Sequence, residues 1–391
     1  MRVDTDSLSL VRGLAHDGAE HAADALFELT GVETRVETTS VTLLSRESAR
    51  ERFSQTMAGV ELDFEGALSG RTTLAFDPEQ ARTLVAERSP EKSEPVIESG
   101  VEELGSIMLS GAIDGWADSL ETAIDMAPPT QLEDGVSVPS DTEYVFVFES
   151  RLESLAEGLA FEIYMIPEWG PLAAMLDQRS ADEAVPLEKF ATFNDMTREG
   201  ASQAATYISE MTGIETTVEI SQCSFVPIEQ VPSHVGETEF VGVVLEYSGT
   251  PSGYLAILFD EPSARTIADA LVPIESDDTW DEMDKSAIKE LGNIMTSGFI
   301  DGWANVLETT IEHSPPEFVH DMGAAIVSPI AARLGTQQEH AFVIDSTVRT
   351  DDGAVSCSLY ALPNERELMA ALDELLVERT PRTGVDPESV F

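Results

Sequence analysis

A chain of 391 residues with 42% hydrophobic content is long enough and apolar enough for two ordinary domains, each with a buried core. Its formal charge is −51, from 73 acidic against 22 basic residues scattered along the length, and the only lysines are Lys92, Lys189, Lys285 and Lys289. Such a surface excludes binding to a phosphate backbone, which needs clustered Lys and Arg, and it repels itself until salt screens it, so no nucleic-acid partner and a salt-rich cytoplasm are expected.

In chain order, the N-terminal MRVDTDSLSLVRGL has no apolar core of signal-peptide length, and no run of about 18 apolar residues follows anywhere, so no membrane association is expected. An opening helix is predicted over about 8–30, ending at a Thr-Gly pair suited to a C-cap. Alternating and apolar runs such as TTLAFD then read as buried strands. A long helix carries ELGSIMLSGAIDGWADSLET at 103–122 and is followed by Pro128-Pro129; VFVFES (145–150) and IYMIPE (163–168) read as further strands. The polar, acidic DQRSADEAVPL at 177–187 reads as a linker.

The same series then begins again. LFELTGVETRVE at 26–37 returns as ISEMTGIETTVE at 208–219, and SGRTTLAFDPEQARTL at 69–84 as SGYLAILFDEPSARTI at 252–267. ELGNIMTSGFIDGWANVLET at 290–309 repeats the long helix and is likewise followed by a Pro-Pro pair, Pro315-Pro316. AFVIDS (341–346) and LYALPN (359–364) repeat the late strands. Partners lie 182 residues apart early in the repeat and 196 apart late, and most of that drift falls after the Pro-Pro pair, where PPEFVHDMGAAIVSPIAARLG reads as a helix in the second half only. The chain is therefore α+β, with units at 1–177 and 187–379 and nothing resembling a doubly wound nucleotide fold.

A helix over 285–311 places Ile288, Leu291, Met295, Phe299, Gly302 and Val306 on one side, fit to pack on a sheet. Ser286, Glu290, Asn293 and Ser297 line up on the opposite, exposed face. Taken alone, Glu290 and Asn293 are an ordinary solvated face. Bland readings also suit Cys223 and Cys357 (buried small hydrophobes), Trp116 and Trp303 (packing anchors), and the acidic stretch Glu275, Asp277, Asp278, Asp281, Glu282 and Asp284 (a solvated helix start without the glycine of a calcium loop). His313 and His320, with Glu312 and Asp321 beside them, are given a surface or capping role, and no metal site is expected.

The pattern Ser286-x3-Glu290-x2-Asn293, followed after 22 intervening residues by Pro316, resembles the signature of the CheC, CheX and FliY family of chemotaxis phosphatases. The opening segments AHDGAEHAADALFELTG and TREGASQAATYISEMTG resemble that family's first helix, and the resemblance covers nearly the whole chain as two tandem units of haloarchaeal type. It implies that each unit is an internal pseudo-twofold repeat of antiparallel β-sheet with long flanking helices. It further implies hydrolysis of the aspartyl phosphate of phosphorylated CheY, with CheD as a second partner to be tested, no cofactor bound by this chain, and Mg²⁺ held by CheY. Glu290 would pair with a lysine of CheY, Asn293 would hold the attacking water, Ser286 would be peripheral and Pro316 would mark the following turn. Three other helices depart from the pattern. The first unit opens with Gly13 and His16; its long helix has Ser99, Glu103 and Pro129 but Ser106 in place of Asn; the second unit opens with Asp195 and Arg198, whose long side chain would occupy the water's place. One active site is expected, the alternative being an adaptor that binds CheY or CheD without turnover.

Overall fold

The computed structural model describes residues 2–53, 58–77, 82, 85, 93–132, 135–139, 142–154, 159–177, 184–272, 280–307, 309–350 and 353–375. The first half runs β1 (Arg2–Val3), α1 (Thr5–Thr30), β2 (Thr34–Ser45), α2 (Arg46–Arg52), β3 (Ala58–Gly66), β4 (Gly70–Phe76), α3 (Glu94–Ser119), β5 (Ile124–Met126), β6 (Thr130–Gln131), β7 (Tyr144–Ser154), β8 (Ala160–Pro167) and α4 (Trp169–Asp177). The second half runs β9 (Val185–Pro186), α5 (Leu187–Thr212), β10 (Thr217–Pro227), α6 (Val231–Val235), β11 (Glu239–Ser248), β12 (Gly253–Asp260), α7 (Glu261–Leu271), α8 (Glu282–Val306), β13 (Glu312–His313), β14 (Glu317–Met322), α9 (Gly323–Leu334), β15 (His340–Arg349), β16 (Ser356–Pro363) and α10 (Glu365–Glu374).

The opening helices stop where the Thr-Gly pairs dictate. Gly31 and Gly213 take φ of 74° and 75°, a left-handed turn that costs a side-chain-bearing residue about 1–2 kcal/mol. Thr30 and Thr212 each donate a hydroxyl back to the carbonyl four residues earlier, on Leu26 and Ile208. Helix α8 begins in a capping box: Asp281 accepts from the backbone of Met283 and Asp284, and the Asp284 carboxylate accepts from Asp281 N.

Within the first half the strands lie in the order β2-β7-β8-β4-β3, with β5 and β6 on the outer side of β3, and among the described residues every pairing is antiparallel. That order reads the same under a twofold between β8 and β4, which exchanges β2 with β5/β6 and β7 with β3. The second half repeats it as β10-β15-β16-β12-β11, with β13 and β14 beyond β11. The two halves then join edge to edge, β10 on β2, into one 14-stranded sheet. Thr42 pairs with Ser224, its own repeat partner, and their buried hydroxyls are 2.9 Å apart, so the twofold relating the halves passes through this pair.

Helices α1, α3, α5 and α8 cover one face of the sheet over a core shared by both halves, in which Val41, Leu43 and Phe146 meet Phe190, Phe225 and Phe342. Smaller cores under α2 and under α6 and α9 close the other face. The helices of each half approach closely where glycine permits it. A Cβ at Gly18 would lie 2.1 Å from Trp116 Nε1, and one at Gly200 would lie 2.8 Å from the Phe299 carbonyl oxygen. Both tryptophans are buried, as packing anchors should be; Trp303 Nε1 donates to Thr197 Oγ1 at 3.2 Å, whereas Ala15 stands at the repeat position of Thr197 and Trp116 Nε1 has no hydrogen-bond partner among the described residues.

Two expectations change in detail. The stretch after Pro315-Pro316 is not helix throughout: Glu317–Met322 pairs along β11 and only Gly323–Leu334 is helical. The helix predicted to reach 311 ends at Val306. At the linker, Val185-Pro186 pairs with Arg2-Val3, and the Arg2 guanidinium donates to the Ala184 carbonyl, so the start of the second half is stapled to the N-terminus. Residues 178–183 of that linker, and Glu275, Asp277 and Asp278 of the acidic stretch, lie outside the described residues. Cys223 and Cys357 are buried free thiols; burial, chiefly, pushes Cys223 up to about 12, which keeps it inert.

Candidate functional site

Helix α8 presents its motif residues as the spacing requires. Ile288, Leu291, Met295 and Phe299 are buried, Gly302 is half-buried, and the Val306 side chain lies outside those described. On the other side Ser286 and Glu290 are exposed and Asn293 is half-buried. Among the described residues neither the Glu290 carboxylate nor the Asn293 carboxamide has an intramolecular hydrogen-bond or ion-pair partner. A carboxamide free at both ends can accept from a water and donate to an anion at once. Gly292 lets the helix sit tightly on β11, since a Cβ there would lie 2.4 Å from Val243. Pro316 opens the approach to β14.

One neighbour of this face was read from sequence only as surface or capping. Ser297, one turn beyond Asn293, donates to the Asn293 carbonyl at 3.1 Å and lies 3.4 Å from His313 Nε2. His313 therefore borders the motif face through Ser297; a separation of 16 positions in the chain hid the contact, and no periodicity connects the two.

The three departing helices differ from α8 in specific ways. On α3, Ser99 and Glu103 are exposed like their counterparts, but Ser106 turns its hydroxyl back onto the Glu102 carbonyl at 2.7 Å. A hydroxyl donating within its own helix is short and committed, so it does not reach out as Asn293 does. Pro129 follows on the exposed segment between β5 and β6.

The opening helices turn their motif positions toward the junction of the halves. Arg198 Nη1 lies 2.8 Å from Glu47 Oε2 on α2 of the first half. Partial burial pushes the Asp195 carboxyl up, against the pull of the Tyr144 hydroxyl that donates to it from β7. At the equivalent place, His16 lies 3.3 Å from Thr39 Oγ1, and Thr39 N donates to Gln230 Oε1 of the second half at 3.0 Å. Arg198 thus makes an ion pair between the halves.

The CheC-like family model matches residues 283–320, which span α8, the Pro-Pro pair and most of β14. CheC1 of Halobacterium salinarum, provisionally named a CheY-P phosphatase, is 35% identical over 193 residues, covering 49% of this chain and 98% of that one. The chain belongs to the CheC-like family. The Bacillus subtilis CheY-P phosphatase CheC is 29% identical over 86 residues, 22% of this chain and 41% of that one. Among solved structures, Thermotoga maritima FliY covers 48% of this chain and 97% of its own, at 18% identity and a TM-score of 0.40. Near-complete coverage of a CheC protein by half of this CheC-like chain accords with two units in tandem. Among the described residues no helix is long and apolar enough to cross a membrane.

Proposed function

We propose that the chain ends or adapts a chemotactic signal by hydrolysing the aspartyl phosphate of phosphorylated CheY at one site, on α8. The observation that carries this reading is the pairing of Glu290 and Asn293 on an outward helix face with both side chains uncommitted, in the one helix of four that keeps Ser286, Glu290, Asn293 and Pro316 together. Membership of a family whose relatives are named for this activity supports it.

In this mechanism the receiver supplies its own Mg²⁺ and lysine, and this chain supplies position. Glu290 pairs with the lysine and gains strength as docking expels water. Asn293 accepts from a water and aligns it with phosphorus; the water oxygen bonds to phosphorus as the bond to the aspartyl oxygen breaks, releasing inorganic phosphate and the free carboxylate. Ser286 contributes at the periphery and Pro316 shapes the turn.

A second reading, an adaptor for CheY or CheD without turnover, draws on the three departing helices. The two are separated by phosphate release from phosphorylated CheY in concentrated potassium chloride, with wild type and Asn293→Ala. The phosphatase reading expects acceleration by wild type and a loss of about 100-fold or more in the variant with binding kept, the scale for removing one oriented polar group. Binding without acceleration by either would establish the adaptor.

A further inference from the structure

At the outer edge of the second half's sheet, beside the start of α8, two strands and a helix bring together groups that the phosphatase reading does not use. Glu239 opens β11, Glu261 is the first residue of α7 directly after β12, and His320 lies on β14. Strand register fixes the corner: Phe240 pairs with Asp260 on one side and Asp321 on the other, and Val241 pairs with His320. One ligand atom from each of Glu239, Glu261 and His320 lies within 4.8 Å of the others.

One separation suits two ligands of a common centre better than a direct ion pair. His320 Nε2 is 3.3 Å from Glu239 Oε1, longer than the roughly 2.7–2.9 Å of a charge-assisted N–H···O bond. Two donors each about 2.0–2.1 Å from a tetrahedral ion are roughly 3.3–3.4 Å apart. The cations nearby are engaged elsewhere. The Arg265 guanidinium stacks 3.8 Å over Trp280 and reaches Asp284 at 3.5 Å, and Lys285 lies 3.2 Å from Glu282. Trp280 also packs edge-on against the His320 ring at 6.3 Å, which limits how that ring turns. Two carboxylates and an imidazole suit zinc and its first-row neighbours, whereas magnesium, calcium and potassium prefer oxygen alone.

We infer that Glu239, Glu261 and His320 form a site for a divalent transition ion of the zinc type, with at least one position left to water. The ion ties β14, the strand that follows Pro316, to β11 and to the start of α7, whose Arg265 braces the cap of α8. It is a structural clamp on the frame of the motif helix, and it does not depend on whether that helix hydrolyses anything.

The test is zinc binding by the full chain, stripped with chelator, in concentrated potassium nitrate, followed by equilibrium dialysis and thermal melting. Wild type is expected to take up one zinc per chain and to melt at a higher temperature with it. His320→Ala and Glu239→Gln should each lose affinity at least about tenfold together with that rise, the scale of losing one metal contact. His313→Ala should keep both, because its imidazole lies outside the cluster. Equal uptake by wild type and His320→Ala would overturn the site, as would displacement of the zinc by a modest excess of magnesium, which would reduce the corner to an electrostatic patch.

Discussion

Helices α3 and α8 occupy equivalent places in the two halves, are 26 and 25 residues long, and share the text ELG-x-IM-x-SG-x-IDGWA. Both expose the motif serine and glutamate, Ser99 with Glu103 and Ser286 with Glu290. They part at the next turn, where Ser106 commits its hydroxyl to the Glu102 carbonyl and the Asn293 carboxamide has no intramolecular partner among the described residues. A shared scaffold therefore carries different groups at equivalent positions. The same holds under the sheet, where Arg52 and Glu149 of the first half correspond to His234 and Asp345 of the second.

These half-buried pairs give the largest expected effect. Arg52 lies 2.5 Å from Glu149 and donates to Gln222 of the second half at 2.8 Å, and Gln222 passes a hydrogen bond on to Asp345. Burial pulls the Arg52 guanidinium down, but Glu149 and its other anionic neighbours raise it further, so it stays charged. Arg52→Ala should cost about 1.5–3 kcal/mol, the scale of a lost charge-assisted hydrogen bond, measured by denaturant unfolding in high salt. His234→Ala should cost less, because its contact with Asp345 is longer, at 3.4 Å. Equal, small losses would mean that the two pairs are interchangeable.

The second prediction sharpens the contrast of the long helices. In the Asn293→Ala background, Ser106→Asn should restore phosphate release from CheY by about tenfold or more, since it gives α3 the group whose orientation is worth that much elsewhere. No restoration would show that α3 differs from α8 in more than this residue. The smallest effect concerns the opening helices: a double-mutant cycle on Arg198 and Glu47 should give a coupling of about 0.2–1 kcal/mol, the range for a partly exposed ion pair. A coupling indistinguishable from zero would remove Arg198 from the junction.

Much of this was legible in the residues because the chain states its plan twice. The Thr-Gly stops, the buried stripe of α8 and the exposed Glu290 all follow from local periodicity, which needs no knowledge of neighbours. What escaped depends on pairing across space. The segment Glu317–Met322 reads on smoothly into the apolar run of α9, and only its register with β11 makes it a strand. Nothing in β2 or β10 announces that each is the other's partner, because a strand's alternation specifies its faces and not its edge neighbour. For the same reason Arg198 could be read as an obstruction but not as the partner of Glu47. His320 could be set beside its sequence neighbour Asp321, but not beside Glu239 and Glu261.

The seam between β2 and β10 has a further consequence. Two separate copies meeting across such an edge would have to find each other by diffusion, and any substitution in one would appear in both. A peptide tether raises the local concentration of the second half to the millimolar range whatever the amount of protein in the cell. It also frees each half to change alone. Covalent linkage thus turns a symmetric partnership into a division of labour, in which one half can give up Asn at the key turn while still completing the sheet that holds the other half's helix in place.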